Sequence, residues 1–421
     1  MGLYAACSAN AGSGVFGTTG STGTGGSGSG TTASTSGAGG NGGDDIGFDG
    51  GPSGTGGGGL PTCNSGPNDD TDKDGFTIAD GDCNDCDPNV NPGAIEVIAM
   101  PDADGGVPMP ADEDCDGMVD NVLPPCDDGL IVEEPNPLGG ARAVELCATG
   151  DAKHWGVLGA KWVMADGSPP PVGNLNFDLG HGILTGFGPN VNVQGGKRLL
   201  ALSSGTARQP TDAGYQSVGG FDKGFTGNSP QGFPKESPAC PGTITGQPHD
   251  PAALEVTVKV PTNAHGFSFD FNFFTYEWPN WICSQYNDFF VAILSPVPMG
   301  QQDGNISFDS QGNPVSVNNA FLDVCGCAGG PPCFAGGKNF PCSLGDAGLL
   351  GTGFQDQFSD HASTGWLVTK APVEPGQQIT IRWAVYDSGD GVLDSTTLVD
   401  NWQWIAESGT TVGTDVVPTP K

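Results

Sequence analysis

At 421 residues the chain is long enough for two or three domains of ordinary size. Its 72 Gly and 35 Pro, with only 15% charged residues, argue against a helical protein, because few helix formers remain. A net charge of −34 repels nucleic acid and anionic lipid surfaces, and 13 cysteines point to an oxidising compartment.

Met1 to Cys7 reads MGLYAAC, and Lys73 is the first basic residue. A full secretory signal would need a basic segment and then an apolar one, and neither is present. Leu3–Cys7 resembles the end of a bacterial lipoprotein signal, where small residues precede a lipid-bearing cysteine; Tyr4 departs from that pattern. The reading is that residues 1–7 are the remnant of such a signal and that Cys7 carries lipid. An ordinary free N-terminus is the alternative. Residues 8–62 are almost wholly Gly, Ser, Thr and Ala and cannot bury a core, so a flexible linker is expected.

Residues 63–126 form an acidic, Cys-bearing module. From Asp69 to Asp128 there are 18 acidic side chains and one basic one, so this stretch supplies 18 − 1 = 17 of the 34 negative charges. Carboxylates so closely spaced repel one another unless a cation sits among them. Asp70-x-Asp72-x-Asp74-Gly75 has the alternating acids and glycine of an EF-hand-like loop, with the Phe76 carbonyl as the next donor. Gly81 stands where a closing Glu is usual, flanked by Asp80 and Asp82. Asp82, Asp85 and Asp87 would complete this site or begin another. Asp112, Asp114 and Asp116 form a further triplet that would return to the same ion. All-oxygen donors favour Ca²⁺; a solvated acidic linker is the plainer alternative. Cys83-x-x-Cys86 imitates half a zinc site, but Cys115 lacks a similarly spaced partner and no histidine falls in the module. Cu or Zn is therefore disfavoured and disulfides are expected. The candidates are Cys63, Cys83, Cys86, Cys115, Cys126, Cys147, Cys240, Cys283, Cys325, Cys327, Cys333 and Cys342, with their pairing open.

From 127 to 408 the pattern changes to alternating apolar and polar residues. Arg198–Leu202 is a short strand candidate, and Leu254–Val260 alternates. His265–Glu277 puts Phe267, Phe269, Phe271 and Phe273 on one face and Ser268, Asp270 and Asn272 on the other, as a half-buried strand does. Phe289–Leu294 is an apolar run suited to a strand covered on both sides. Pro314–Asn319 is another short candidate. Gln378–Tyr386 aligns Ile379, Ile381, Trp383 and Val385, and Thr397–Trp404 aligns Leu398, Trp402 and Trp404. Turn residues separate these segments, so a large antiparallel β-sandwich, jelly-roll-like and with long loops, is expected. Residues 409–421 read as a disordered tail. No apolar run is long enough to cross a membrane.

Two family resemblances rest on these residues. Asp70–Gly75, Asp82–Gly93, Glu96 and Asp112–Gly117 resemble the MopE-type metal-binding motif, which recurs in surface and secreted bacterial proteins, many of them myxobacterial. This chain lacks the usual Cys after Glu96, inserts Val97 to Ala111 and adds Cys86. Phe267–Glu277, Trp278-Pro279, Asn287–Phe290, Asn305–Ser307, Pro314–Asn319 and Asp387–Asp400 resemble, in order, the landmarks of the choice-of-anchor L family. That resemblance implies an exported, surface-associated β-sandwich and does not imply an enzyme.

Within the sandwich, Glu277, Asp288, Asp387, Asp390, Asp394 and Asp400 sit at strand ends or in the DSGDG turn. Capping of turn amides is the first reading for them and a cation the second. Trp278, Trp281, Tyr286, Trp366 and Trp383 exceed what strand alternation needs, and stacked indoles suit sugar rings; burial in the core is the plainer account. The five histidines are scattered, and HExxH, GxSxG and P-loop patterns are lacking, so no catalysis is expected. The overall expectation is a calcium-binding structural or adhesion protein on a bacterial surface. It would meet envelope or matrix components or glycans, touching the membrane only through a lipid on Cys7. A carbohydrate-binding module or secreted hydrolase is the alternative.

Overall fold

The computed structural model describes residues 64–98, 109–318, 321–355, 361–418 and 420–421. Cys7, the linker 8–62 and Cys63 lie outside them. Ser65–Lys421 make one compact unit.

The strand series begins with β1 (Gly156–Val163), β2 (His181–Leu184) and β3 (Leu199–Ser203). β4 (Pro248–Lys259), β5 (Gly266–Thr275) and β6 (Phe289–Ser295) follow. A hairpin of β7 (Cys333–Ala335) and β8 (Lys338–Phe340) and the short β9 (Ala362–Ser363) precede β10 (Leu367–Pro372). β11 (Gln378–Ser388), β12 (Ser395–Ile405) and β13 (Gly413–Val416) end the series. One sheet runs β1-β4-β11-β6; the other runs β13-β10-β5-β12-β3-β2, with β9 added to β5. The pairings within both sheets are antiparallel, giving the expected sandwich.

Alternation explains the inner core. Phe267, Phe269, Phe271 and Phe273 from β5 join Ile379, Ile381, Trp383 and Val385 from β11 in one buried cluster, with Phe269 edge-on to Trp383 at 5.6 Å. Each such aromatic stabilises the fold by about 1.5–3 kcal/mol through burial. The outer faces are covered as well. Phe274 and Leu398 pack with Phe187, Leu349 and Phe354 behind the larger sheet, and Phe289, Val291 and Tyr386 pack with Phe233 behind the smaller one. Asp270 and Asn272, expected on a half-exposed face, are therefore only 5% and 3% exposed.

Three expectations are corrected. A bulge between Asp400 and Gln403, with Asn401 at φ 56°, sends Leu398 behind the sheet while Trp402 enters the inner core. One extra residue exchanges the faces. Residues 314–318 form no strand; Pro314 and Ser316 make single bridges to Phe308 and Phe289. The tail is not disordered along its length: β13 pairs with β10, and Thr369 and Thr414 hydroxyls meet at 2.8 Å.

The acidic segment is seated on the β4–β5 loop. Thr262 N donates to the Gly93 carbonyl at 2.9 Å, Ile95 and Asn263 exchange two hydrogen bonds, and Trp155 Nε1 donates to the Ala94 carbonyl at 2.8 Å. Gly93 permits this approach, because a Cβ there would lie 2.8 Å from the Phe76 ring and 3.0 Å from the Thr262 methyl. The Cys126–Cys147 disulfide adds a covalent tie to the start of the sandwich.

Candidate metal centre

The first acidic loop is shaped by its own carboxylates. Asp70 Oδ2 accepts from Gly75 N at 3.2 Å, Asp72 Oδ1 from Asp74 N at 3.3 Å, and Asp74 Oδ1 from Phe76 N at 2.7 Å. Gly75, at φ 97°, allows the reversal. Asp82 Oδ1 accepts from Asn84 N and Asp85 Oδ1 from Thr71 N, which brings the second strip of acids onto the first. Each of Asp72, Asp74, Asp82 and Asp85 thus uses one oxygen to hold the loop. The Oδ2 atoms of the same four residues are buried with no hydrogen-bond partner.

The residues converge in two overlapping groups. One oxygen each from Asp70, Asp72 and Asp85, and one each from Asp72, Asp74 and Asp82, lie within 4.8 Å of one another. That spacing is about twice a Ca²⁺–oxygen distance of ~2.4 Å. Burial, with repulsion from Asp72 and Asp82, pushes Asp74 up to about 6; burial raises Asp72 and Asp82 too. Such a site favours a cation over protons only when one is supplied.

The Asp112–Gly117 loop repeats the geometry: Asp112 Oδ2 accepts from Gly117 N at 3.0 Å and Asp116 Oδ1 from Met118 N at 2.7 Å. It does not return to the first cluster. Asp112 and Asp114 converge instead with Glu96, and Glu96 also converges with Glu113 and Asp120. The Cys83–Cys115 disulfide ties the two loops together. Glu96, Glu113 and Asp120 were not among the site residues expected. Glu96 carried a signal as part of the motif, whereas Glu113 and Asp120 fall off the alternating spacing.

Other expected ligands make further contacts. Asp80 pairs with Lys153 at 2.9 Å, which lowers its pKa, and Asp87 holds Asn89 N at 3.1 Å. Asp116 uses both oxygens, on Met118 N and Asn121 Nδ2. Phe76 buries its ring beside His154. Thiolate ligands for zinc are removed by oxidation: Cys83 and Cys115 pair, and Cys86 is a half-cystine. The other described cysteines pair as Cys240–Cys283, Cys325–Cys342 and Cys327–Cys333.

In the sandwich, Glu277, Asp288, Asp387 and Asp394 are buried at one end of the sheets, while Asp390 is partly exposed and caps Val392 N. Burial first, and then Asp288, drive Glu277 up to about 10; burial also raises Asp288 to about 7. Asp400 is apart from them, sharing a buried site with Glu145 and accepting from Gln194 N. Of the aromatic candidates Trp278, Trp366 and Trp383 are core residues; Trp281 is 39% exposed and meets partly buried Tyr286 at 5.1 Å. His181 is buried on Trp162, and burial pulls it down to about 3.

No helix among the described residues is long and apolar enough to cross a membrane. Comparison with curated proteins and with solved structures returns no match. The model of the choice-of-anchor L domain family matches residues 239–401, the stretch that runs from β4 to the first part of β12. Residues 239–401 are thus similar to a choice-of-anchor L domain, which suggests an exported or cell-surface protein.

Proposed function

We propose that the protein is a non-enzymatic surface protein of structural or adhesive role whose acidic module binds Ca²⁺. The observation that carries this reading is the set of four buried, unpartnered oxygens on Asp72, Asp74, Asp82 and Asp85. An ion there would replace mutual repulsion with shared attraction. Asn91 would pass the effect on: it contacts the Asp74 carboxyl, and its Oδ1 accepts from Thr262 Oγ1 at 2.8 Å on the sandwich. The module would thus act as a cation-set platform against the sandwich, not as a free spacer. The partner would be an envelope or matrix component met by the sandwich surface. Thermal melting of the whole chain in Ca²⁺ and in EDTA tests the metal. With an affinity of ~10⁻⁴–10⁻³ M, usual for extracellular modules, 10 mM Ca²⁺ should stabilise by about 1.4–2.7 kcal/mol. The joint change of Asp72 and Asp74 to Asn should abolish that gain, and a wild type indifferent to Ca²⁺ would refute the reading.

A further inference from the structure

The acids of the first loop fall into two sets, and the path of the chain explains why. The second strip of acids runs back along the first. At one end Asp85 Oδ1 accepts from Thr71 N at 3.1 Å, and at the other Asp82 N donates to the Thr77 carbonyl at 3.1 Å. Asp70 is thereby matched with Asp85 and Asp74 with Asp82, while Asp72, between them, belongs with both. Oxygens that share one Ca²⁺ stand no more than about 4.8 Å apart, twice the ~2.4 Å bond. The five acids meet a 4.8 Å limit as two groups of three, not as one group of five. Asp70, Asp72 and Asp85 make the first, and Asp72, Asp74 and Asp82 the second. Each group has a deeply buried acid of its own with an unused oxygen. Asp85 is 2% exposed and Asp82 4%, and the Oδ2 atom of each is buried with no hydrogen-bond partner.

We propose, resting on the Ca²⁺ reading of this loop, that it holds two ions side by side. Asp70, Asp72 and Asp85 bind one, Asp72, Asp74 and Asp82 bind the other, and the Asp72 carboxylate bridges them. A carboxylate has two oxygens, so Asp72 can serve both ions while its neighbours serve one each. Charge points the same way. One Ca²⁺ would leave these five carboxylates with three uncompensated charges, whereas two would leave one. Buried carboxylates without a compensating cation are costly, and Asp82 and Asp85 lie in different groups, so a single ion would relieve only one of them. The two centres also differ in access. Asp70 is exposed and Asp74 half-buried, so the Asp70 centre has more room for waters to complete the coordination shell of about six to eight oxygens.

The test counts ions. Bound Ca²⁺ per full chain is measured by equilibrium dialysis at a concentration that just saturates the wild type, with melting in EDTA as the check on folding. Asp82→Asn and Asp85→Asn should each lose one ion relative to the wild type. The double variant of those two residues should lose two, and so should Asp72→Asn alone. A double variant that loses only one ion means that the five acids share a single centre. That result overturns the two-ion site and leaves the Ca²⁺ reading of the loop standing. A count that none of the variants changes, or a wild type that binds no Ca²⁺, overturns both. Should a variant fail to fold, a crystal of the unchanged chain grown with Ca²⁺ decides. Two ions joined through Asp72 support the proposal, and a single ion among the five acids overturns it.

Discussion

Between Asn64 and Cys126 the buried apolar side chains among the described residues are Phe76 and Ala94, whereas the inner cluster of the sandwich alone holds thirty. Both regions bury carboxylates, but they use them differently. In the module Asp72, Asp74, Asp82 and Asp85 each give one oxygen to a loop amide and hold the chain in shape. In the sandwich the ladder already holds the backbone, and the acids meet side chains instead: Asp387 meets Asp288, and Asp394 lies beside the buried Lys223 ammonium. Small apolar content makes a segment depend on crosslinks, ions and docking. A large core can instead carry the cost of buried acids.

The sharpest way to break the comparison is to remove core from the sandwich. Trp383→Ala should cost about 3–5 kcal/mol in denaturant unfolding, with or without Ca²⁺. If Ca²⁺ restored that loss, the sandwich would not be the source of stability. Next, Cys147→Ser opens the crosslink whose loop spans 21 residues, which corresponds to about 3 kcal/mol of chain entropy. Amide exchange should rise around the acidic loops before it rises in β5 or β11.

A smaller effect concerns the buried pair behind the bulge. Burial, with Asp400 close by, lifts Glu145 to about 10, and burial lifts Asp400 to about 8. Folded-state values raised this far give stability that is complete below the ordinary carboxylate range and is lost as pH rises through about 8–10. Melting temperature should therefore fall from pH 5 to pH 9, and Glu145→Gln should flatten the decline, gaining at least about 1 kcal/mol at the alkaline end. A slope unchanged by the substitution would refute the pairing. The least effect is expected from Lys153→Ala. Its ion pair with Asp80 is solvent-exposed on both sides, so the Tm should not move measurably.

Much of the fold was legible in the alternation of Phe267–Phe273 and Ile379–Val385, since a period of two places side chains without further information. β1, β2 and β10 were not anticipated, and β13 was taken for disorder, because short strands draw their order from neighbours distant in sequence. At the site, the Asp70–Gly75 and Asp112–Gly117 loops were readable from spacing. Asp80 and Asp87 were not separable from true cluster members, because neighbours in sequence point to different sides of a tight loop.

The sequence by itself determined the long central strands, the acid-rich loops and the oxidised state of the cysteines, all properties of local pattern and composition. Tertiary structure alone decided that the module docks on the β4–β5 loop and that Glu96 completes the second acid group. It also decided that Asp400 parts from Asp288, Asp387 and Asp394. Those outcomes turn on a one-residue bulge and on contacts between segments separated in sequence, 168 residues apart for Ile95 and Asn263, which no local pattern encodes.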